Sequence, residues 1–117
     1  MMMNWYLLTA AALSIFLAII HSGLGERWIF RETAQLNRKY RGIIWASWHI
    51  VSLLGVAMCV LFVGAALDPA PGEVWSFVLM TLSIMTFGSA VLVLYGTKGR
   101  HPGWIGLLAI SLLSWFA

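Results

Sequence analysis

Long stretches without a charged residue dominate this chain. A helix needs about 20 residues to cross a hydrocarbon core of about 30 Å, and the apolar segments at about 5–27, 43–67, 74–95 and 103–117 approach or exceed that length. Only 9% of the residues are charged, whereas soluble domains carry about 25%. The sequence therefore predicts an all-α integral membrane protein, a single domain in which four transmembrane helices form a bundle with short loops.

Proline and glycine separate the last three apolar segments. Residues 68–72 include Pro69, Pro71 and Gly72, and residues 96–103 include three glycines and one proline. Because proline interrupts helical hydrogen bonding and glycine favours turns, we predict a turn at each place.

The hydrophilic stretch 26–42 has a different pattern, with apolar Trp28, Ile29, Phe30 and Leu36 placed among arginines and lysines. This pattern predicts a short helix lying on the membrane surface. Two other interpretations stay open, a solvated basic loop that only fixes the topology and a surface that contacts anionic lipid.

The charges are distributed unequally between the connections. All seven basic residues lie in the first and third connections, at Arg27, Arg31, Arg38, Lys39, Arg41, Lys98 and Arg100. The second connection carries only the acidic Asp68 and Glu73. The positive-inside rule then predicts basic loops in the cytoplasm and both termini outside, in a bacterial inner membrane.

Three histidines are the ionisable residues closest to the membrane interior. With a rise of 1.5 Å per residue, His21 lies about 9 Å inward from Arg27, and His49 lies about 12 Å inward from Arg41. The fourth segment is too short to span the membrane fully, which places His101 inward of the cytoplasmic surface. We therefore predict that the three histidines share one depth in the inner leaflet. Alternatively, residues 100–103 form an ordinary interfacial turn with a basic flank, and His101 lies at the interface.

Small residues at helical spacing predict where the helices pack. One face of the first segment combines spacings of three and four, at Ala11, Ser14, Ala18, His21 and Gly25. Comparable faces are formed by Ser52, Gly55 and Cys59 in the second segment and by Ser76, Ser83, Thr86 and Ala90 in the third. Small side chains let membrane helices approach closely, so His21 is expected to point into the bundle.

Three functions fit this histidine set. Neutral imidazoles on separate helices can bind a metal ion, and two facing ones can hold haem; this hypothesis takes His21 and His49 as cofactor ligands and His101 as a third metal ligand. Alternatively, the histidines relay protons in a small transporter protomer, or they are structural in a non-catalytic accessory subunit. Glu26 points about 140° away from His21 on an ideal helix and joins it only if the helix unwinds at Gly23 or Gly25.

Other kinds of site find no support in the sequence. The lone Cys59 excludes a disulfide framework and a cysteine zinc cluster. There is no Ser-His-Asp set, phosphate loop or nucleic-acid platform, so nucleic acid is not an expected partner. Whether the protein is an enzyme stays open. The expected partners are the lipid bilayer and either further copies of the chain or a larger membrane complex.

Three short motifs are spread over most of the chain: His21-Ser22-Gly23-Leu24-Gly25-Glu26-Arg27, Trp48-His49 and Gly99-Arg100-His101-Pro102. In this combination the chain resembles a type of small four-helix bacterial inner-membrane protein that is uncharacterised. The resemblance implies the membrane bundle and implies no activity.

Overall fold

The computed structural model describes residues 3–70 and 72–117. Within these residues the regular structure is helical, and four main helices follow one another: α1 (Trp5–Leu24), α2 (Arg38–Leu67), α3 (Glu73–Gly96) and α4 (Gly103–Trp115). The first three are long and apolar enough to cross a membrane. At about 1.5 Å per residue, the 13 residues of α4 extend only about 20 Å. The predicted all-helical architecture with four helices is confirmed.

The connection between α1 and α2 differs from the prediction. Instead of a separate surface helix over 26–42, α1 continues without a break into a π-helical turn at Gly25–Ile29, followed by short turns at Phe30–Glu32 and Thr33–Gln35. The side chain of Asn37 then accepts a hydrogen bond from the backbone N–H of Lys39 at 3.0 Å. This N-cap starts α2 at Arg38, five residues before the apolar segment begins, because capping rather than hydrophobicity sets a helix start.

The two predicted turns are present. Asp68 follows the last residue of α2 and accepts hydrogen bonds from the Ala70 N–H at 2.9 Å and from the Trp75 indole at 2.7 Å. Pro71, which belongs to the predicted break, lies outside the described residues. Between α3 and α4 the chain reverses with Lys98 at φ 51° and Gly99 at φ 75°, a left-handed conformation that glycine adopts without strain.

The helices pack in an open ring. The α1–α2 and α3–α4 pairs have the most extensive interfaces, α1 also packs on α4, and α2 touches α3 only slightly. A buried apolar cluster joins all four helices through Leu7, Ala10, Ala11, Phe62, Ala65, Ala66, Leu82 and Ile110. The Asn4 amide also donates to the carbonyl of Ala117 at 3.1 Å, which holds the two termini together at one end of the bundle.

Most members of the small-residue faces lie at helix interfaces as predicted, and Ser76 does not. Ala11, Ser14, Ala18 and Gly25 are buried on α1, Ser52 is buried on α2, and Ser83, Thr86 and Ala90 are buried on α3, whereas Ser76 is exposed. A methyl group added at Gly55 would come within 2.9 Å of the Ala18 side chain. The absence of a side chain at Gly55 therefore allows α1 and α2 to approach closely.

The bundle has two chemically different ends. The first and third connections, with all seven basic residues, form what we call the basic end. The opposite end carries the termini together with Asp68 and Glu73. Since His21 and His49 lie on α1 and α2 near the basic end, any chemistry they support takes place there.

Candidate histidine site

Trp48 sets the register between α1 and α2 at the basic end. Its indole N–H donates to the backbone carbonyl of His21 at 2.7 Å, and its ring meets the His21 imidazole edge-on, with centroids 4.1 Å apart. Gly25 makes room for this indole, because a Cβ at that position would lie 2.6 Å from the indole Cδ1 atom. The result is that His21 and His49, the residue after Trp48, come to one level of the bundle.

The ring of His49 is held from both sides. Its Nδ1 atom lies 2.9 Å from the hydroxyl of Ser22 on α1. Its Nε2 atom lies 2.8 Å from a carboxylate oxygen of Glu26, and the same oxygen accepts the indole N–H of Trp45 at 2.7 Å. Ser22, His49 and Glu26 therefore form one continuous hydrogen-bonded row between two helices.

Glu26 reaches this row because the backbone changes at Gly25. The π-helical turn begins there and includes Glu26, so the ideal-helix geometry that placed this carboxylate far from the site does not apply. Single π-helical turns inside α-helices are frequent at functional sites. The sequence had identified Gly25 as one of two positions where unwinding would bring Glu26 into play.

The hydrogen bonds of His49 assign its tautomer when the ring is neutral. A carboxylate only accepts hydrogen bonds, so Nε2 carries the ring proton and donates it in the hydrogen bond to Glu26. The lone pair on Nδ1 then faces the Ser22 hydroxyl. Histidines that bind metals show the same division of roles, with one ring nitrogen bonded to a carboxylate and the other facing the metal.

His21 has an unsatisfied ring nitrogen. Its Nε2 atom is buried and has no hydrogen-bond partner in the part of the chain that the structure describes. Buried polar atoms are nearly always paired with protein or water, since leaving one unpaired costs about 1–3 kcal/mol. Bound water or a ligand would supply the partner that this nitrogen lacks.

His101 lies at the same end but has a different role in its present position. Its Nδ1 atom accepts the backbone N–H of Gly103 at 3.0 Å, at the start of α4. In a neutral ring the proton then sits on Nε2, which has no lone pair to offer a metal.

Residues 3–70 and 72–117 contain no group of three or more His, Cys, Asp and Glu side chains already arranged to hold a metal ion. Cys59 lies apart from the site, against the apolar cluster of the bundle. The ligand set of His21, His49 and His101 accordingly stays a prediction. In the structure His21 contacts Trp48 and His49 contacts Ser22 across the α1–α2 interface, and His101 accepts the N–H of the first residue of α4.

Sequence reasoning missed three members of the site, Ser22, Trp45 and Trp48, and it also missed that a serine, a histidine and an acid meet. A usable signal was present. Ser22 and Glu26 are four residues apart, as are Trp45 and His49, and residues at that spacing share a helix face. The two pairs lie near helix ends that adjoin in a four-helix bundle. Their spacing could therefore have predicted that the side chains of one pair contact those of the other.

The arrangement resembles the residue types of a serine hydrolase, but that chemistry also needs donors for a developing oxyanion. The indole N–H of Trp48 is already given to the His21 carbonyl. The row orients the His49 imidazole between the Ser22 hydroxyl and the Glu26 carboxylate.

Comparison with protein-family models, with curated protein sequences and with solved structures finds no match to this chain.

Proposed function

We propose that this protein is an integral membrane protein that binds one transition-metal ion at the basic end of its helical bundle. Three long apolar helices support the membrane location, and many of their outward side chains are large and hydrophobic. The basic residues of the first and third connections favour a bacterial inner membrane, with those loops in the cytoplasm and both termini outside. The short α4 reaches across only part of that membrane.

The buried, unpartnered Nε2 atom of His21 is the observation that carries the metal proposal. His49 complements it, because the carboxylate of Glu26 orients its ring as carboxylates orient metal-ligating histidines. A bound ion would take the lone pair of His21 and, by displacing the Ser22 hydroxyl, that of His49. Two imidazole ligands suit zinc, copper, nickel or iron.

A single ion fits the site better than haem. Axial ligation by two histidines requires a flat macrocycle between their rings. Here Ser22, the neighbour of His21, is bonded directly to His49, and Trp48 packs edge-on against the His21 ring. A haem would have to separate α1 from α2 at the point where the two helices are bonded most closely.

The second candidate is a non-catalytic accessory subunit or a transporter protomer, in a homo-oligomer or a larger complex, whose histidines are structural or proton-relaying. The row from Ser22 through His49 to Glu26 favours it, because both ring nitrogens of His49 already have partners. This function needs no metal, so metal binding separates the two candidates.

The test is elemental analysis by mass spectrometry of detergent-purified protein without a polyhistidine tag, followed by titration with Co²⁺ and Cu²⁺. Wild type is expected to bind about one ion per chain. His21→Ala and His49→Ala should each reduce binding to background. The matched control is His101→Ala, which removes an imidazole at the same end and should retain the ion.

Helical circular dichroism spectra of all four proteins establish that the variants are folded. If wild type binds no metal above background, both as purified and after titration, the metal proposal is wrong and the second candidate takes its place. Equal loss in all three histidine variants would restore His101 as a ligand.

A further inference from the structure

The cations of the first connection have almost no partners within the protein. Across residues 3–70 and 72–117, the ion pair that the structure shows joins His49 and Glu26 and involves no lysine or arginine. All the basic residues of this connection are exposed; we call them the basic collar, formed by Arg27, Arg31, Arg38, Lys39 and Arg41. An exposed cluster of this size leaves its charge available to an external anion.

The acidic residues of the chain do not balance the collar. Glu26 is engaged by His49 and Trp45, and Asp68 and Glu73 lie at the opposite end. Glu32 is the remaining carboxylate near the collar. Lys98 and Arg100, at the same end, increase the excess of positive charge.

Local helix electrostatics does not explain the collar either. Arg38, Lys39 and Arg41 lie at the start of α2, where no acidic residue is present in the first turn. The partial charge at a helix N-terminus is positive, so cations there are unfavourable. An anion bound at this position would relieve that repulsion as well as neutralise the side chains.

Aromatic side chains place the collar at the depth of lipid headgroups. Trp28 and Tyr40 are 56% and 60% exposed, and such residues concentrate at membrane interfaces. With 30 residues, α2 is about 45 Å long and exceeds a hydrocarbon core of about 30 Å. Its first turns therefore extend into the headgroup layer.

We propose that the basic collar binds the headgroups of anionic phospholipids. Charge complementarity and the interfacial aromatics select this partner, which would be retained around α1 and α2 in preference to zwitterionic lipid. The inference rests on the membrane location in the proposed function and is independent of the metal ion. A lysine or arginine beside an anionic membrane surface contributes about fivefold to a binding constant.

The test is electron paramagnetic resonance of the full chain reconstituted in phosphatidylcholine bilayers. Spin-labelled phosphatidylglycerol and spin-labelled phosphatidylcholine with identical acyl chains report the lipid immobilised by the protein. Wild type is expected to prefer phosphatidylglycerol several-fold in low salt. The triple variant Arg38→Gln/Lys39→Gln/Arg41→Gln should lose most of this preference, whereas Glu73→Gln, a charge change at the opposite end, should keep it.

Equal immobilisation of the two lipids by wild type would overturn the proposal, and immobilisation of neither would instead contradict the membrane location. Inorganic phosphate distinguishes the two sources of the anion. If phosphate at the same concentration as the lipid headgroups abolishes the preference, while sodium chloride of equal ionic strength does not, the collar binds free phosphate and the lipid proposal is wrong. A preference that survives phosphate and weakens in high salt supports the lipid headgroup.

Discussion

The α1–α2 and α3–α4 interfaces both contain buried polar atoms, but they differ in how completely those atoms are paired. Between α3 and α4, the Ser83 hydroxyl donates to the Ser111 carbonyl at 2.7 Å, and the Ser111 hydroxyl donates to the Ser83 carbonyl at 2.9 Å. The hydroxyl of Thr86 is bonded to its own helix, donating to the Leu82 carbonyl at 2.8 Å. These three hydroxyls all have hydrogen-bond partners within α3 and α4.

Within the part of the chain that the structure describes, the α1–α2 interface does not provide a hydrogen-bond partner for each of its buried polar atoms. It joins two helices through Trp48 and the Ser22–His49–Glu26 row, yet the buried Nε2 atom of His21 has no partner among residues 3–70 and 72–117. Hydroxyls can always satisfy themselves on nearby backbone carbonyls, whereas an imidazole nitrogen needs a partner placed in a specific direction. The comparison therefore separates polar residues that hold helices together from polar residues that can bind something else.

The largest expected loss of metal binding comes from filling the space beside Gly25 that the Trp48 indole occupies. Gly25→Ala places a methyl group against the indole, so it should displace Trp48 from the His21 carbonyl and reduce metal binding to background. Gly23→Ala is the matched control, because nothing lies within 4 Å of its added methyl group. Binding is measured by Co²⁺ titration, and full binding by Gly25→Ala would show that the Trp48 register is not required.

A smaller loss of metal affinity is expected when the carboxylate of Glu26, which orients His49, is replaced. Glu26→Gln keeps the shape but weakens the acceptor, and loss of such an outer partner typically lowers metal affinity by about 10–100-fold. Because Glu26 is exposed, the thermal unfolding midpoint should change little. Glu32→Gln, an exposed glutamate in the same connection, should leave the affinity unchanged; a similar loss in both variants would point to general electrostatics instead of orientation.

The smallest effect, a small loss of stability, is expected from a substitution at the α3–α4 interface. Ser83→Ala removes one of two reciprocal hydrogen bonds between α3 and α4, and such bonds contribute about 0.6 kcal/mol on average in membrane proteins. The free energy of unfolding in mixed detergent micelles should fall by about that amount, with metal affinity unchanged. Ser89→Ala is the control, because it removes an exposed hydroxyl that donates to the Met85 carbonyl on the same helix. Altered metal affinity in Ser83→Ala would show that the two interfaces are coupled.

Much of the fold could be predicted, since it depends on periodic features of the sequence. The apolar segments predicted four helices, and the spacing of Ala18, Ser52 and Ser83 predicted which faces are buried. The start of α2 was misplaced because it depends on the single cap at Asn37, which lies outside the apolar segment. Of the interpretations left open for residues 26–42, the separate surface helix does not form, because the backbone continues from α1 through a π-helical turn.

By itself, the sequence determined the helical class, the turns and the separation of charge between the two ends, because each follows from local composition and from spacing along one helix. Only the tertiary structure decided three contacts. Ser22 and Glu26 are hydrogen-bonded to His49, Trp48 packs edge-on against His21, and His101 accepts the first N–H of α4. These contacts join residues on different helices or depend on one change of helix geometry at Gly25. Their physical basis is the relative register of α1 and α2, which close packing and one indole hydrogen bond establish after the helices have formed.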